Sequence, residues 1–414
     1  MTDTDRSANR FLKVFPWFSG LTGDLLFYIA IDTLFLTIVK DFSAAQIVSI
    51  TSLSQLICIA LQFPILFVME KIGNTASVRC GAFFLLLSAL FITFGRKYYP
   101  VLLGRIFHDV AVTFRSASIA ALENNLDLQG RRDEFVRYRS AGNTVYAVIT
   151  MLIAFVASYM FNLNNYLPMI GCIVTCTLGF IFSLMMKDCS DYNKISAKRR
   201  SAPGAKIKYN KLIIVAIVLY SAFYSVVTNG QGEGKLFIQE TLLLDFDVDD
   251  TALIIGAIIC VSRIIRVLSN VIFERLYKKH QNKMGIALPT LLCVALAMML
   301  FGLFNPQVVV KIIVMAVGYT IILFTRDPFK MYVQDVLFAR TPKEQHKTLL
   351  TMLEFGVKVV TAGIGLGFSA ILLGYPMAVV IAIMLGIALV EVIFSIVLYR
   401  EILRFDAEGQ SASC

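Results

Sequence analysis

Twelve apolar stretches, each of a length that crosses a bilayer and each followed by a short polar turn, run from near Phe15 to near Arg404. A hydrocarbon core about 30 Å thick takes roughly 20 apolar residues per helical crossing. In lipid a backbone must satisfy its own hydrogen bonds, and long runs without period-two alternation fit helices rather than barrel strands. The expectation is therefore an all-α integral membrane protein of about twelve transmembrane helices. Composition agrees, with 57% hydrophobic and 16% charged residues. The net charge of +10 would suggest nucleic acid in a soluble chain. Here it has a plainer cause in basic loops on one membrane face, so no nucleic-acid partner is expected.

The approximate spans are 15–40, 43–69, 76–96, 98–124, 136–161, 165–187, 211–240, 250–274, 284–304, 307–338, 347–374 and 376–402. The first run is longer than a signal peptide and lacks an Ala-x-Ala site, so it reads as a retained helix. With loops alternating sides, roughly 26 Lys and Arg fall on one face against about three on the other, which makes the first face cytoplasmic. That orientation puts both tails, 1–14 and 405–414, inside the cell and the acidic loop of Asp245, Asp247, Asp249 and Asp250 outside, in a cell membrane. The longest polar stretch, 188–210, is rich in Lys, Arg, Ser and Ala and contains Pro203-Gly204. It reads as a solvated linker between a bundle at 15–187 and a second at 211–404.

Chemistry that needs a cofactor finds no support. Eight cysteines are scattered without CxxC pairs and three histidines are far apart, so neither metal nor redox cofactor is expected. No nucleophile-base set or phosphate loop is present, which argues against an enzyme with catalytic residues and against ATP as an energy source.

Two halves of the chain are faintly alike. Glu70-Lys71-Ile72-Gly73-Asn74 follows the second span and Glu274-Arg275-Leu276-Tyr277 the eighth, at an offset of about 204 residues. Phe114-Arg115 and Thr325-Arg326 correspond at about 211, an offset that also sets Glu123 on Gln334 and Asn143 on Glu354. Two six-helix halves, a basic central loop and these acid-basic turns resemble the major facilitator superfamily over essentially the whole chain. Its first turn motif is Gly-x-x-x-Asp-Arg-x-Gly-Arg-Arg, of which Glu70, Lys71 and Gly73 remain while Leu66 replaces the leading glycine. Leu103-Gly104-Arg105 looks like the family's fourth-helix arginine motif, with Asp109 where glycine is usual. The fifth span has no Gly-Pro-x-x-Gly-Gly element, the mark of drug/proton antiporters in the superfamily.

Ionisable side chains inside the membrane cost roughly 2.5 to 10 kcal/mol or more, so each needs a partner or a wet cavity. Asp24 and Asp32 lie on the first span, and Arg105, His108, Asp109 and Arg115 on the fourth. At about 1.5 Å per residue, Asp32 matches Arg105 in depth and Asp24 matches Arg115. The resemblance places these spans together, implying a ladder of Asp32–Arg105 and Asp24–Arg115; an Arg105–Asp109 pair within one helix is the packing alternative. In the second half Arg263 and Arg266 lie on the eighth span, Arg326, Asp327 and Lys330 on the tenth, and Glu354 and Lys358 on the eleventh, where Arg326 and Glu354 match in depth. Pro328 predicts a kink, and Gly230, Gly232 and Gly234 around Glu233 and Lys235 predict a weak seventh helix that serves as hinge or gate.

Together these residues read as a secondary active transporter working by alternating access. Asp24, Asp32 and Glu354 would couple protons or another cation. Arg105, Arg115, Arg263, Arg326 and Lys358 would meet a small organic solute, with Tyr28, Tyr146, Tyr224 and Phe355 as cavity walls. Glu70, Lys71, Gly73, Glu274 and Arg275 would latch conformations. A proton-driven multidrug exporter is the alternative, and a lipid flippase or a non-transporting receptor represents a different class. The expected partners are the solute, the coupling cation and membrane lipid, with the chain a monomer.

Overall fold

The computed structural model describes residues 3–189, 211–280, 283–341 and 346–411. Every element in them is helical, and the helices follow the twelve apolar stretches. Asp3–Leu21 and Tyr28–Leu34, the latter continued by a π-helical turn at Phe35–Val39, make the first span. The second and third are joined in Ala44–Phe94, and the fourth is Tyr98–Arg115 followed by Ala117–Leu128. Phe135–Leu163, Leu167–Met185, Lys211–Leu242, Val248–His280, Met284–Leu303, Val308–Phe338, His346–Ile371 and Met377–Ser411 are the fifth to the twelfth. Eight of the described helices contain a window apolar enough to cross a membrane on composition alone. The first, fourth and eighth spans are not among them.

The chain forms two compact units. The first holds Met1–Phe42, Leu53–Pro203 and Ala252–Cys260, the second Ser43–Ser52, Gly204–Thr251 and Val261–Cys414. In the first unit, Phe11, Phe15 and Phe18 of the first span bury against Ala117, Ala121 and Leu122 of the fourth. Small residues let the first and fifth spans close up: a Cβ on Gly20 would strike the Val145 side chain at 2.5 Å. In the second unit the seventh and tenth spans meet through stacked rings, with Phe223 and Phe329 only 3.8 Å apart at their centroids. Buried rings of this size contribute much of the apolar packing that neighbouring helices gain.

On the basic face, the strand of chain leaving the sixth span is tied down by amides. Asn74 and Asn124 both donate to Asp188 Oδ2, at 2.7 and 2.8 Å, and the Asp188 N–H donates to Thr75 Oγ1 at 2.9 Å. Asn125 donates to the Lys187 carbonyl and accepts from the Cys189 N–H. Nearby, Arg131 forks onto Glu134 at 2.7 and 3.0 Å, holding that carboxyl below its ordinary range.

One expectation about helix irregularity, a weak seventh helix, is corrected. The seventh span is one unbroken helix through Gly230, Gly232 and Gly234, because its neighbours press on it: Gly230 faces Met384 and Ile322, and Gly234 faces Tyr319 and Met299. Tertiary contact outweighs the helix penalty of about 1 kcal/mol per glycine. Pro328 lies inside the tenth helix, Val308–Phe338. The turn between the second and third spans rests on Gly73, at φ 80° and ψ 171°. That region is open essentially to glycine alone, and another residue there costs about 1–3 kcal/mol. Gly73→Ala is expected to lower thermal stability in detergent by about that amount; an unchanged melting curve would show that the turn relaxes freely.

Candidate functional site

The first span breaks at residues 22–27, and the break gathers the polar groups of the first unit. Four hydrogen bonds mark the break and its edges, two of them, from Leu25 and Arg115, to groups outside the helical ladder. Thr22 Oγ1 donates to the Phe18 carbonyl at 2.7 Å, the Leu25 N–H donates to Asp24 Oδ1 at 2.8 Å, and the Ile29 N–H reaches the Leu25 carbonyl at 3.0 Å. Arg115 comes across from the fourth span and donates to the Thr22 carbonyl at 2.7 Å. A carbonyl released in hydrocarbon is costly, and a guanidinium donor satisfies it where water cannot. Gly23 is required at this point because a Cβ on it would lie 2.2 Å from the Tyr146 ring.

Asp24 is held in the break by His108, whose Nε2 lies 2.8 Å from Asp24 Oδ1. The other ring nitrogen, Nδ1, lies 3.2 Å from Asp109 Oδ1. Asp109 Oδ2 accepts from the Ser54 hydroxyl at 2.8 Å, and Arg105 approaches Asp109 Oδ1 at 3.9 Å. An imidazole flanked by two carboxyl groups needs a proton on each nitrogen, or else a proton on one of the carboxyls. One imidazole thus links the two carboxyl groups. With Arg105 included, two acids and two bases balance, which makes the burial of four charges tolerable. The His108 side chain is 6% exposed and that of Asp24 33%.

This arrangement differs from the expected ladder. Arg115 serves the Thr22 carbonyl instead of Asp24, Asp24 takes His108, and Arg105 engages Asp109, the packing alternative. Matching depths by rise per residue assumes a continuous first helix, and the break removes that assumption. Asp32 accepts the Thr33 N–H at 2.8 Å, and Tyr28 is buried in the same unit. His108, Asp109 and Ser54 were not among the candidate site residues. The adjacent His108-Asp109 pair, one turn from Arg105 on an apolar helix, was the available signal.

The second unit holds its own polar group. Arg326 Nε donates to the Tyr224 hydroxyl at 2.9 Å and Nη1 to Gln231 Oε1 at 3.0 Å, with the guanidinium 5.1 Å from the Tyr224 ring centre. Tyr319 adds a hydroxyl to the Gln231 carbonyl at 3.3 Å. Glu354, expected to match Arg326 in depth, and Phe355 are exposed. Arg263 and Lys358 are half-buried; Glu233 and Lys235 are buried. Of the latch residues, Lys71 lies 4.2 Å over the Phe67 ring, and the side chains of Glu274 and Arg275 are outside the described residues. Among the described residues, no group of three His, Cys, Asp or Glu is arranged to hold a metal ion.

A family model, that of the Major Facilitator Superfamily, matches residues 17–337. The chain belongs to this superfamily and is a multi-pass membrane transporter. Solved structures share its fold at low identity. A mutant form of the nucleoside transporter NupG aligns with a TM-score of 0.71 and 10% identity over 95% of this chain and 98% of that one. The unsubstituted NupG structure gives 0.67 and 13% over 98% and 99%. A bacterial homologue of the iron transporter ferroportin, in its inward-facing state, gives 0.65 and 13% over 95% and 98%. No curated protein sequence matches.

The Arg115 contact at the break is open to direct measurement. Arg115→Met leaves the Thr22 carbonyl without its donor and is expected to cost about 1–3 kcal/mol, read as earlier thermal unfolding of the detergent-solubilised protein. Arg115→Lys should recover part of the loss. Equal stability of all three proteins would show that the carbonyl finds another donor.

Proposed function

We propose that the chain is a proton-coupled secondary transporter of a small polar organic solute, resident in the cell membrane with both termini cytoplasmic. The observation that carries this reading is the contact of His108 with both Asp24 and Asp109 at a break in a membrane span. Alternating access exposes such a group to each side in turn, and broken helices beside ion and solute sites are a recurring transporter device. Loading or releasing the proton changes the charge of the Asp24–His108 contact and so the stability of the first span's bend. The proton gradient then sets the direction of the cycle.

The solute's polar contacts come from the second unit in this reading. Arg326, with Tyr224 and Gln231, offers guanidinium, hydroxyl and amide groups of the kind that grip a carboxylate, a phosphate or a ring with several acceptors. The nucleoside transporter among the structural neighbours is compatible with such a solute. The missing fifth-span motif disfavours drug export.

The test uses purified protein in liposomes, offered a pool of labelled polar metabolites that includes nucleosides. An imposed pH gradient should drive accumulation of at least one of them. Asp24→Asn should reduce that accumulation to the level seen without a gradient while preserving exchange of solute for solute. Gradient-driven uptake that survives Asp24→Asn removes this residue from coupling.

A further inference from the structure

The seventh span carries a buried acid that plays no part in the cluster around Asp24. Glu233 is 6% exposed and its Oε2 has no hydrogen-bond partner. One turn earlier, Asn229 is 7% exposed and its Nδ2 also lacks a partner. Residues four apart share one face of a helix. Asn229 turns toward the eleventh span, with its Oδ1 3.8 Å from where a Cβ on Gly365 would sit. Between the two, Gln231 points elsewhere and accepts the Arg326 guanidinium.

A charged carboxylate sealed in apolar surroundings costs several kcal/mol unless a cation or a set of donors receives it. The spans packed on the seventh carry Arg326, Asp327 and Lys330 on the tenth, Glu354 and Lys358 on the eleventh and Glu391 on the twelfth. Among the described residues none of these forms an ion pair with Glu233, nor does Lys235, which is set about 200° round the helix. Arg326 is occupied by Tyr224 and Gln231, and Glu354 is exposed. A metal cation would need a fuller ring of oxygens than one carboxyl and one amide provide. A proton needs only the carboxyl, and Asn229 can serve both forms: its carbonyl accepts from the acid and its amide donates to the carboxylate.

We propose that Glu233, with Asn229, is a second proton-binding site, located in the second unit and separate from the Asp24–His108 cluster. In the state described here it is loaded; movement of the seventh span brings Glu233 into contact with water and releases the proton. Gln231 lies on the same turn, so a solute drawing on Arg326 tugs the helix that carries this acid. The proposal extends the proton-coupled reading above, and its test is chosen to stand apart from transport.

Infrared difference spectroscopy on the purified protein in liposomes reads protonated carboxyl groups directly as pH is varied. A buried-carboxyl band that titrates is expected in the unsubstituted protein, absent in Glu233→Gln and retained in Asp24→Asn. Glu391→Gln must also retain it, because Glu391 is 2% exposed and is, among the described residues, the other buried acid with unpartnered carboxyl oxygens. An unaltered titrating band in Glu233→Gln overturns the proposal. Should that variant fail to fold, Asn229→Ala decides: the band's pH midpoint shifts if Asn229 serves the carboxyl, and an unmoved midpoint overturns the assignment. Loss of the band in Glu233→Gln alongside unchanged gradient-driven uptake in Asp24→Asn would sustain this site and sink the role given to Asp24.

Discussion

A helix interrupted inside hydrocarbon must find new partners for every backbone group it releases, since no water is there to take them. The bend at residues 22–27 meets that demand with a threonine hydroxyl, an aspartate oxygen and an arginine from the neighbouring span. Once the arginine is committed to a carbonyl, Asp24 needs a different counterpart, and His108 fills the position at 2.8 Å. The charge pattern of the first unit follows from this one repair. Asp109 meets the imidazole from its far side, and Ser54 and Arg105 steady Asp109.

Span number and helical class were legible from hydropathy alone, because roughly 20 apolar residues in a row leave a chain no other stable form in a bilayer; the linker expected at 188–210 lies, beyond Cys189, outside the described residues. Partners inside the membrane were less so. Asp24 and Arg115 were matched by counting residues along a straight helix, and nothing in Leu21-Thr22-Gly23-Asp24 announces a bend except one glycine. The seventh span misled in the opposite sense: three alternating glycines suggest weakness in isolation, yet Met384, Ile322, Tyr319 and Met299 hold Gly230 and Gly234 in a regular helix. Local propensity is a weak prior where packing decides. Gly73 shows the case where a local signal suffices, since its positive φ is a property of one residue.

The two units spread unlike chemistry over a repeated architecture. The first concentrates acids around a histidine, whereas the second sets a guanidinium among a phenol and a carboxamide. Arg115 and Arg326, aligned by the internal repeat, have different partners: one donates to a backbone carbonyl, the other to a phenol and a carboxamide. A duplicated scaffold of this kind allows one half to keep the energetics of the cycle while the other changes what is carried.

The amides at Asn74, Asn124 and Asn125 give the segment after the sixth span a fixed mooring at Lys187 to Cys189. These residues are architecturally part of the first unit although they lie beyond its final helix. Anyone wishing to express the halves as separate polypeptides, or to insert a reporter between them, therefore has a rational junction: beyond Cys189, where severing the chain spares the asparagine clasp.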